Sequence, residues 1–203
     1  MARKSTDERR AQISQALLQA MAEHGYAKAT IAKIAEQADV TPGLIHYHFD
    51  TKQAILLDLL GRLVTRQQEM IDARLEAADG PLEQLDGLVD AFLALGEQAR
   101  PEAVASWVTM ATEAIRQPEV QQAFAKALHS FAEVFEEAIA AGVDDGTFHL
   151  GALSAPACAA AILATIQGYF TLAATERELI PSGSAAPATR RMLRGLLGLD
   201  ASS

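Results

Sequence analysis

The fold of this chain is decided by one stretch, Thr30-Ile-Ala-Lys-Ile-Ala-Glu-Gln-Ala-Asp-Val-Thr-Pro-Gly-Leu-Ile-His-Tyr-His-Phe49. Its first half carries apolar residues at the i, i+3, i+4 and i+7 positions of a helix, namely Ile31, Ile34, Ala35 and Ala38. The segment from Asp39 to Thr41 interrupts this helix. A second helix begins at Thr41 and Pro42, because threonine caps helix starts well and proline fits the first helical turn.

The second helix of the stretch is short and has two different faces. Ile45 and Phe49 lie on one side, whereas Gly43, His46 and Tyr47 lie on the other. Two short helices that share an apolar seam across a tight turn predict a helix-turn-helix. The outer face offers hydrogen-bonding rings and a bare glycine, which suit contact with a phosphate backbone and with base edges.

Residues 7–60, which surround this motif, resemble the DNA-binding domain of the tetracycline-repressor (TetR) family of transcription regulators. The matching residues are Gly25, Thr30, Ile31, Ile34, Ala35, Val40, Gly43, Ile45, Tyr47, His48, Phe49 and Lys52. The resemblance implies that the third helix reads the major groove and that Lys52 holds a phosphate. His46 stands where the family most often has tyrosine, and Leu44 where a polar residue is common, so the operator sequence is left open.

Phosphate contacts require hydrogen-bond donors, and the chain offers them at the starts of its predicted helices. The predicted DNA-binding residues are Lys28, Thr30, Thr41, Pro42, Gly43, His46, Tyr47, His48 and Lys52. Lys28 and Lys33 either contact phosphates or are simply solvated. A basic arm, formed by Arg3, Lys4, Arg9 and Arg10, either reaches the DNA or is disordered.

Composition favours an all-helical protein with an uneven charge. Half of the residues are apolar, alanine and leucine dominate, and no run alternates for long enough to predict a sheet. Residues 1–53 hold seven basic against six acidic residues, a net charge of +1, and the other 150 hold ten against twenty, a net charge of −10. The acidity does not exclude DNA as a partner, but it predicts weak non-specific binding.

The cysteine count and the apolar runs predict a cytoplasmic protein without a membrane partner. Cys158 is the one cysteine, so the chain forms no internal disulfide, which suits a reducing compartment. The first residues lack the apolar core of a signal sequence. The longest apolar stretch, residues 155–164, is ten residues long, about half of a membrane span.

Caps, prolines and glycines divide the chain into about nine helices. The predicted starts are Ser5 (in a capping box with Glu8), Thr30, Thr41, Asp50 or Thr51, Pro81, Pro101, Pro118, Ser154 with Pro156, and Ala185. The predicted ends include Gly25, Gly80, Gly142, Glu178 and Leu199. This pattern predicts an all-α protein. The resemblance then implies a three-helix DNA-binding domain at 1–53 and a ligand-binding and dimerisation domain at 54–203.

The second predicted domain carries aromatic and thioether side chains on three helices, with a few polar groups among them. An apolar cavity with few polar groups is typical of a small-ligand pocket, and ordinary core packing is the alternative for each residue. The resemblance, in which this domain binds the effector, leads to the predicted ligand-binding residues Trp107, Met110, Glu113, Phe131, Phe135, Gln167, Tyr169 and Phe170. The acidity favours a neutral or cationic, largely apolar ligand, since a cation could use aromatic faces and Glu113.

Metal and cofactor sites are not predicted. His129 and His149 have no partner at metal-ligand spacing, and Cys158 is expected to be a small buried apolar residue. The sequence has no nucleophile–base constellation and no glycine-rich phosphate loop, which argues against an enzyme.

The last two predicted helices are apolar enough to need a partner. Two helices from each subunit form the dimer in the family that the chain resembles, and burial within one chain is the alternative. The predicted interface residues are Ala159, Ile162, Ile166, Leu193, Leu196 and Leu197. The resulting hypothesis is a homodimeric repressor that a small apolar ligand releases from a palindromic operator. The rival hypothesis is a helical enzyme or carrier that uses the C-terminal cavity.

Overall fold

The computed structural model describes residues 5–93 and 101–199, and within these ranges the regular structure is helical. The helices are α1 (Thr6–His24), α2 (Ile31–Gln37), α3 (Pro42–His48), α4 (Lys52–Glu76), α5 (Pro81–Leu93), α6 (Pro101–Ala114), α7 (Pro118–Asp144), α8 (Ala155–Thr175) and α9 (Ala185–Leu196), with a 3₁₀ turn at Arg177–Leu179. The predicted all-α class and the predicted number of helices are confirmed.

Several of the predicted helix starts follow from side chains that accept hydrogen bonds from the free N–H groups of the first turn. Ser5 and Glu8 form the full capping box, with the Glu8 N–H donating to Ser5 Oγ at 3.2 Å and the Ser5 N–H donating to Glu8 Oε2 at 2.6 Å. At the start of α4 the cap is Thr51 rather than Asp50, because the Ala54 N–H donates to Thr51 Oγ1 at 3.0 Å.

The predicted end of α7 at Gly142 is wrong, since the helix continues to Asp144. The glycine is explained by packing, because a Cβ at this position would overlap the buried ring of Phe148. The Phe148 N–H also donates to the Gly142 carbonyl at 2.7 Å. The other ends differ by a few residues: α4 ends at Glu76, α8 at Thr175 and α9 at Leu196.

The chain divides into two compact units, which together include all of the described residues. The first unit contains residues 5–65 and 101–125, and the second contains residues 66–93 and 126–199. Helices α4 and α7 each continue from one unit into the other. Helix α6 thus belongs to the same compact unit as the N-terminal helices. The predicted functional boundary after residue 53 stays a prediction.

The first unit is built on α1, against which α2, α3 and α6 pack. Its core includes the fully enclosed side chains of Ile13, Leu17, Ile34, Ile45, Ile55 and Leu56. These residues come from the four N-terminal helices, so burial of apolar surface fixes the short α3 against its neighbours.

The second unit packs α9 against α5 and α8. Phe92 of α5 contacts the ring of Phe131 at a centroid distance of 5.1 Å and that of Phe135 at 5.8 Å. On the rim of the same unit, Arg194 Nη2 pairs with Asp86 Oδ2 at 2.7 Å, and Arg190 pairs with Asp90.

Helix α8 is, among the described residues, the one helix long and apolar enough to cross a membrane by length and composition alone. Counting uninterrupted apolar residues missed this property, because Thr165, Gln167 and Gly168 interrupt the run without making the helix polar. Only 28% of its apolar window is buried within the single chain. The helix therefore exposes an apolar face.

Candidate nucleic-acid interface

The turn between α2 and α3 is a Schellman motif built around Asp39. This residue takes the left-handed conformation with a φ of 50°, a position that glycine usually fills and that aspartate tolerates. The Asp39 N–H donates to the Glu36 carbonyl at 3.1 Å, and the Val40 N–H donates to the Ala35 carbonyl at 3.0 Å. Thr41 then caps α3 through its side-chain oxygen. The predicted tight turn is thus produced by local hydrogen bonds.

Helix α3 has one buried and one exposed face, as the sequence predicts. Ile45 is fully enclosed and Phe49, the C-cap, is 3% exposed, whereas Tyr47 is 79% exposed. The other exposed residues of α3 and its cap are Thr41, Pro42, Gly43 and His46. His48 is half-buried and meets the Tyr47 ring edge-on, with a centroid distance of 5.0 Å. The outer face therefore presents a hydroxyl, a phenol and imidazoles to solvent.

Gly43 is not required by the fold of the chain itself. A Cβ at this position meets only Thr41 Oγ1, at 4.0 Å, and the backbone is not in the left-handed region. Neither the backbone nor the neighbouring atoms demand a glycine here. A bare position on an exposed helix face is what close approach of another molecule requires.

The predicted threonine contacts, Thr30 and Thr41, act within the chain as helix caps. Each side-chain oxygen accepts a backbone N–H, from Lys33 and Leu44 respectively, at 3.3 Å. A hydroxyl can accept and donate at the same time, so both residues keep an O–H donor for a phosphate oxygen. Lys28 is exposed in the loop before α2.

Lys52 ties the start of α4 to the loop that follows α1. Its Nζ donates to the Tyr26 carbonyl at 2.7 Å and to the Ala27 carbonyl at 3.5 Å, and it lies 4.1 Å from the Tyr26 ring centroid. Burial lowers the pKa of Lys52, and the carboxylate of Glu113 partly opposes that shift. An ammonium has three N–H donors, so a phosphate would share this group with the two carbonyls.

The predicted basic arm does not act as one group. Arg10 is held inside the first unit by Asp58 and by the His48 carbonyl, and Arg9 Nη1 donates to Gln12 Oε1 at 2.9 Å. Arg3 and Lys4 lie outside the described residues. Sequence reasoning missed Asp58, although its spacing of four residues from Arg62 is a recognised signal for a helical ion pair.

Asp58 is a nearly buried carboxylate with an altered acidity. Burial raises its pKa, but hydrogen bonds from Ser14, Arg62 and Arg10 outweigh that effect and hold the pKa below its ordinary value. Hydrogen bonds to the charged form and nearby cations both favour ionisation, so this side chain is a fixed negative charge at neutral pH.

The predicted ligand-binding residues fall in both units. Trp107, Met110 and Glu113 belong to the first, where Trp107 lies against Phe124 with a centroid distance of 4.6 Å. Glu113 Oε2 accepts from the amide of the neighbouring Gln117 at 2.7 Å. The second unit holds Phe131, Phe135, Gln167, Tyr169 and Phe170. Gln167 and Tyr169 are half-buried and the three phenylalanines are buried, and the pocket stays a prediction.

The predicted dimer residues need a correction, because most of them pack inside the chain. Within one chain Ala159, Ile162, Ile166, Leu193 and Leu197 are buried, and only Leu196 is half-buried. These side chains form the core between α8, α9 and α5. The exposed face of α8 instead consists mostly of small residues, which include Ala157, Ala161, Ala164, Gly168, Thr171 and Thr175, together with the larger Leu172. Helix α9 exposes Ala188, Arg191, Met192 and Gly195.

The remaining candidate groups are the side chains with metal-binding or redox chemistry. In residues 5–93 and 101–199, no three histidine, cysteine, aspartate or glutamate side chains gather as a metal site. Cys158 is buried with a free thiol, and burial raises the pKa of this thiol.

Two known families match this chain, one over its N-terminal part and one over its C-terminal part. Residues 13–59 match the family described as bacterial regulatory proteins, tetR family. Residues 81–198, more than half of the chain, match the C-terminal region of BetI-type transcriptional repressors. The chain belongs to the TetR family, with a BetI-type C-terminal region. The resemblance inferred from the helix-turn-helix is thereby confirmed.

The TetR-family chain has relatives among curated regulators. It is 32% identical over 114 residues to the HTH-type transcriptional regulator BetI of Agrobacterium fabrum, a match that covers 56% of this chain and 55% of that protein. It is 30% identical over 114 residues to BetI of Rhizobium meliloti, with 56% of each chain covered. The chain spans about half the length of the curated relatives it matches.

Solved structures share the fold of this TetR-family chain. A TetR transcription regulator from Haloarcula marismortui has a TM-score of 0.80 at 23% identity, and the match covers 95% of this chain and 97% of that one. A putative transcriptional regulator from Saccharomonospora viridis, solved in complex with choline, has a TM-score of 0.79 at 24% identity, with 95% and 96% covered.

Proposed function

We propose that this TetR-family chain is a homodimeric, sequence-specific DNA-binding repressor in the cytoplasm that binds a palindromic operator through α3. The observation that carries the proposal is the outer face of α3, where Tyr47 is 79% exposed and Gly43 has no role in the chain's own packing. The residues that contact DNA would be Lys28, Thr30, Thr41, Pro42, Gly43, His46, Tyr47, His48 and Lys52. Membership of the TetR family supports this function.

A gel shift with DNA that flanks the protein's own gene tests the proposed function. A repressor of this type binds such DNA far more tightly than a scrambled duplex of equal length, because base contacts add to the phosphate contacts. The control is a Gly43→Gln variant, which should fold normally because the chain has room for the added side chain. It should lose operator binding, because the side chain would block the close approach of DNA. Equal binding of the flanking and scrambled duplexes would contradict the proposal.

Within the outer face we assign different tasks to His46 and Tyr47. His46→Ala should change the preferred operator sequence at one position, with a loss of about 1–3 kcal/mol per specific contact. Tyr47→Ala should lower affinity for all sequences alike, since its phenol would hold a phosphate. Selection from random operators checks both variants. The same selected motif for wild type and His46→Ala would remove base reading from His46.

The proposed partner in the dimer is a second copy that meets the exposed face of α8 and α9. Most exposed residues of α8 are small, which allows two helices to approach closely, and Leu172 adds apolar surface to the same face. Covering this face would remove apolar surface from water. We therefore propose that the outer face of α8 contacts a protein partner rather than lipid. Two-fold symmetry would then present one α3 to each half of a palindromic operator.

We further propose that the effector is a small cation with a quaternary ammonium group. The S. viridis relative binds choline. The net negative charge of residues 54–203 suits a cation, and aromatic faces, such as those of Phe131 and Phe135 within the second unit, attract one. The operator would be released because the ligand binds the DNA-free conformation of the protein more tightly than the DNA-bound one.

Choline is expected to raise the operator dissociation constant by about 5–150-fold, the usual range of allosteric coupling. The matched probe is 3,3-dimethylbutan-1-ol, which has the same shape without the charge and should have little effect. Trp107→Phe should keep ligand-free operator binding. Titrations followed by Trp107 fluorescence and by gel shift measure the two steps separately. Choline binding without any change in DNA affinity would instead favour the carrier or enzyme hypothesis.

A further inference from the structure

A polar cluster lies beneath the C-terminal end of α3, and Arg10 is its centre. Arg10 Nη1 donates to the carbonyl of His48, the last residue of α3, at 2.8 Å. The guanidinium carbon lies 4.0 Å from the ring centroid of Phe49, the C-cap. Arg10 Nε and Nη2 both donate to Asp58 Oδ1, at 3.1 and 2.9 Å. One side chain of α1 therefore holds the end of α3 and the body of α4 together.

The second oxygen of Asp58 is also occupied, so the carboxylate cannot rotate freely. Asp58 Oδ2 accepts from Ser14 Oγ and from Arg62 Nε, each at 2.7 Å. Arg62 is itself held by Asp7, whose Oδ1 accepts from Nη2 at 2.7 Å. The Asp58 side chain is only 12% exposed, which shields these contacts from water. The orientation of the Arg10 guanidinium is thereby fixed from below.

Helix α3 needs such support, because seven residues are too few for a stable isolated helix. Its start is capped by Thr41, and its last carbonyls require donors of their own. A guanidinium at a helix C-terminus supplies a donor and also complements the negative end of the helix dipole. His46 and Tyr47 lie within one turn of this anchor, so a small tilt of α3 would displace both from any base or phosphate.

We propose that Arg10 and Asp58 are positioning residues that set the orientation of α3 for operator recognition, and that Arg10 does not contact DNA. This inference rests on the proposed DNA-binding function. At Arg10, neither alternative for the basic arm applies: the side chain neither reaches DNA nor is disordered, because it is directed into the protein. The main expected effect is on specificity, because the clamp formed by the Arg10–Asp58 pair positions His46, the residue assigned to base reading; the single phosphate contact assigned to Tyr47 moves with it.

The test compares Arg10→Met and Arg10→Lys with Arg9→Met, which removes the same charge one residue away. Operator and scrambled-duplex affinities are measured over a salt series. Relative to Arg9→Met, Arg10→Met is expected to lose about 10–100-fold of operator affinity, as for loss of charged hydrogen bonds, and clearly less scrambled-duplex affinity, because only the Tyr47 phosphate contact is common to both duplexes. Arg10→Lys should not rescue operator binding, because a lysine cannot reproduce the planar fork.

A phosphate-binding Arg10 gives the opposite pattern. Arg10→Lys would then keep operator affinity, and Arg10→Met would flatten the salt dependence of both duplexes by about 0.9 per lost contact. Either result overturns the inference, as does Asp58→Asn with full operator affinity. An additive loss in the double variant Arg10→Met/Asp58→Asn also counts against it, because partners in one network are coupled.

Hydrogen exchange provides a readout that does not involve DNA. Amides of residues 43–49 should exchange faster in Arg10→Met and Arg10→Lys than in Arg9→Met, while the amides of the α1 core stay protected. If Arg10→Met fails to fold, the measurement rests on Arg10→Lys, which retains the charge. Unchanged exchange at α3 in that variant would overturn the proposed positioning role of Arg10. A wild-type chain that binds no operator, with faster α3 exchange in the Arg10 variants, would overturn the proposed function and leave the clamp standing.

Discussion

Gly168→Glu is expected to convert the protein to monomers and to lower operator affinity by more than about 100-fold. Gly168 lies on the exposed small-residue stripe of α8, and a Cβ there meets no atom within 4 Å, so the single chain accommodates the change. In a two-helix interface the new carboxylate would be buried without a partner, at a cost of about 3–5 kcal/mol. Each monomer would then contact one half-site and lose the second set of contacts.

The matched control for Gly168→Glu is Gly61→Glu. Gly61 is also an exposed helical glycine with no atom within 4 Å of a Cβ, but it lies in α4. Sedimentation equilibrium should give dimers for Gly61→Glu and monomers for Gly168→Glu, with similar helix content by circular dichroism. A stable dimer in Gly168→Glu would move the interface away from the outer face of α8.

Salt is expected to have the second large effect, on the affinity for operator DNA. If each dimer makes on the order of 6–10 phosphate contacts, affinity should fall by about 10³–10⁵ between 50 and 200 mM salt. The overall acidity of the chain does not change this expectation, because counterion release depends on the cations at the interface. A log–log plot of the association constant against salt concentration gives the number of contacts directly.

Lysine variants separate phosphate contacts from structural ties within that salt series. Lys28→Ala and Lys52→Ala should each flatten the slope by about 1.8 per dimer, which is 0.9 for each subunit's contact. Lys52→Ala should also reduce stability, since its ammonium holds the Tyr26 carbonyl at 2.7 Å. A Lys52→Ala slope equal to that of wild type would show that Lys52 acts only as this tie.

The helix-turn-helix was predictable because its signals are local. The caps at Ser5, Thr30 and Thr41 act on N–H groups three residues away, and the turn at Asp39 closes within six residues. Such contacts can be recognised from spacing alone. They account for the correct helix starts and for the correct division of α3 into two faces.

The Arg10 clamp was not predictable for the opposite reason. Ser14 meets Asp58 across 44 residues of chain, and Arg10 meets it across 48. Spacing within one helix shows only that Asp58 and Arg62 can pair, as do many solvated pairs on helix surfaces. Whether such a carboxylate is buried depends on packing between helices, which no local pattern records.

Helix α8 misled the sequence interpretation because it is apolar on nearly every side. Ala159, Ile162 and Ile166 are larger on average than the opposite stripe, and larger apolar residues fill the core within the chain. A helix that is apolar all round gives no contrast between faces, so the hydrophobic pattern cannot choose which one turns outward. Burial in the structure makes that choice.

The depressed pKa of Asp58 links the clamp under α3 to proton concentration. A carboxylate of this kind contributes stability above its unfolded-state pKa, near 3.8, and loses that contribution only as the pH falls through the lower folded-state value. No proton therefore competes for the clamp at any pH between mild acid and neutrality. Helix α3 keeps its anchor when a cell acidifies, and any acid response of the proposed operator binding has to originate in other groups of the chain.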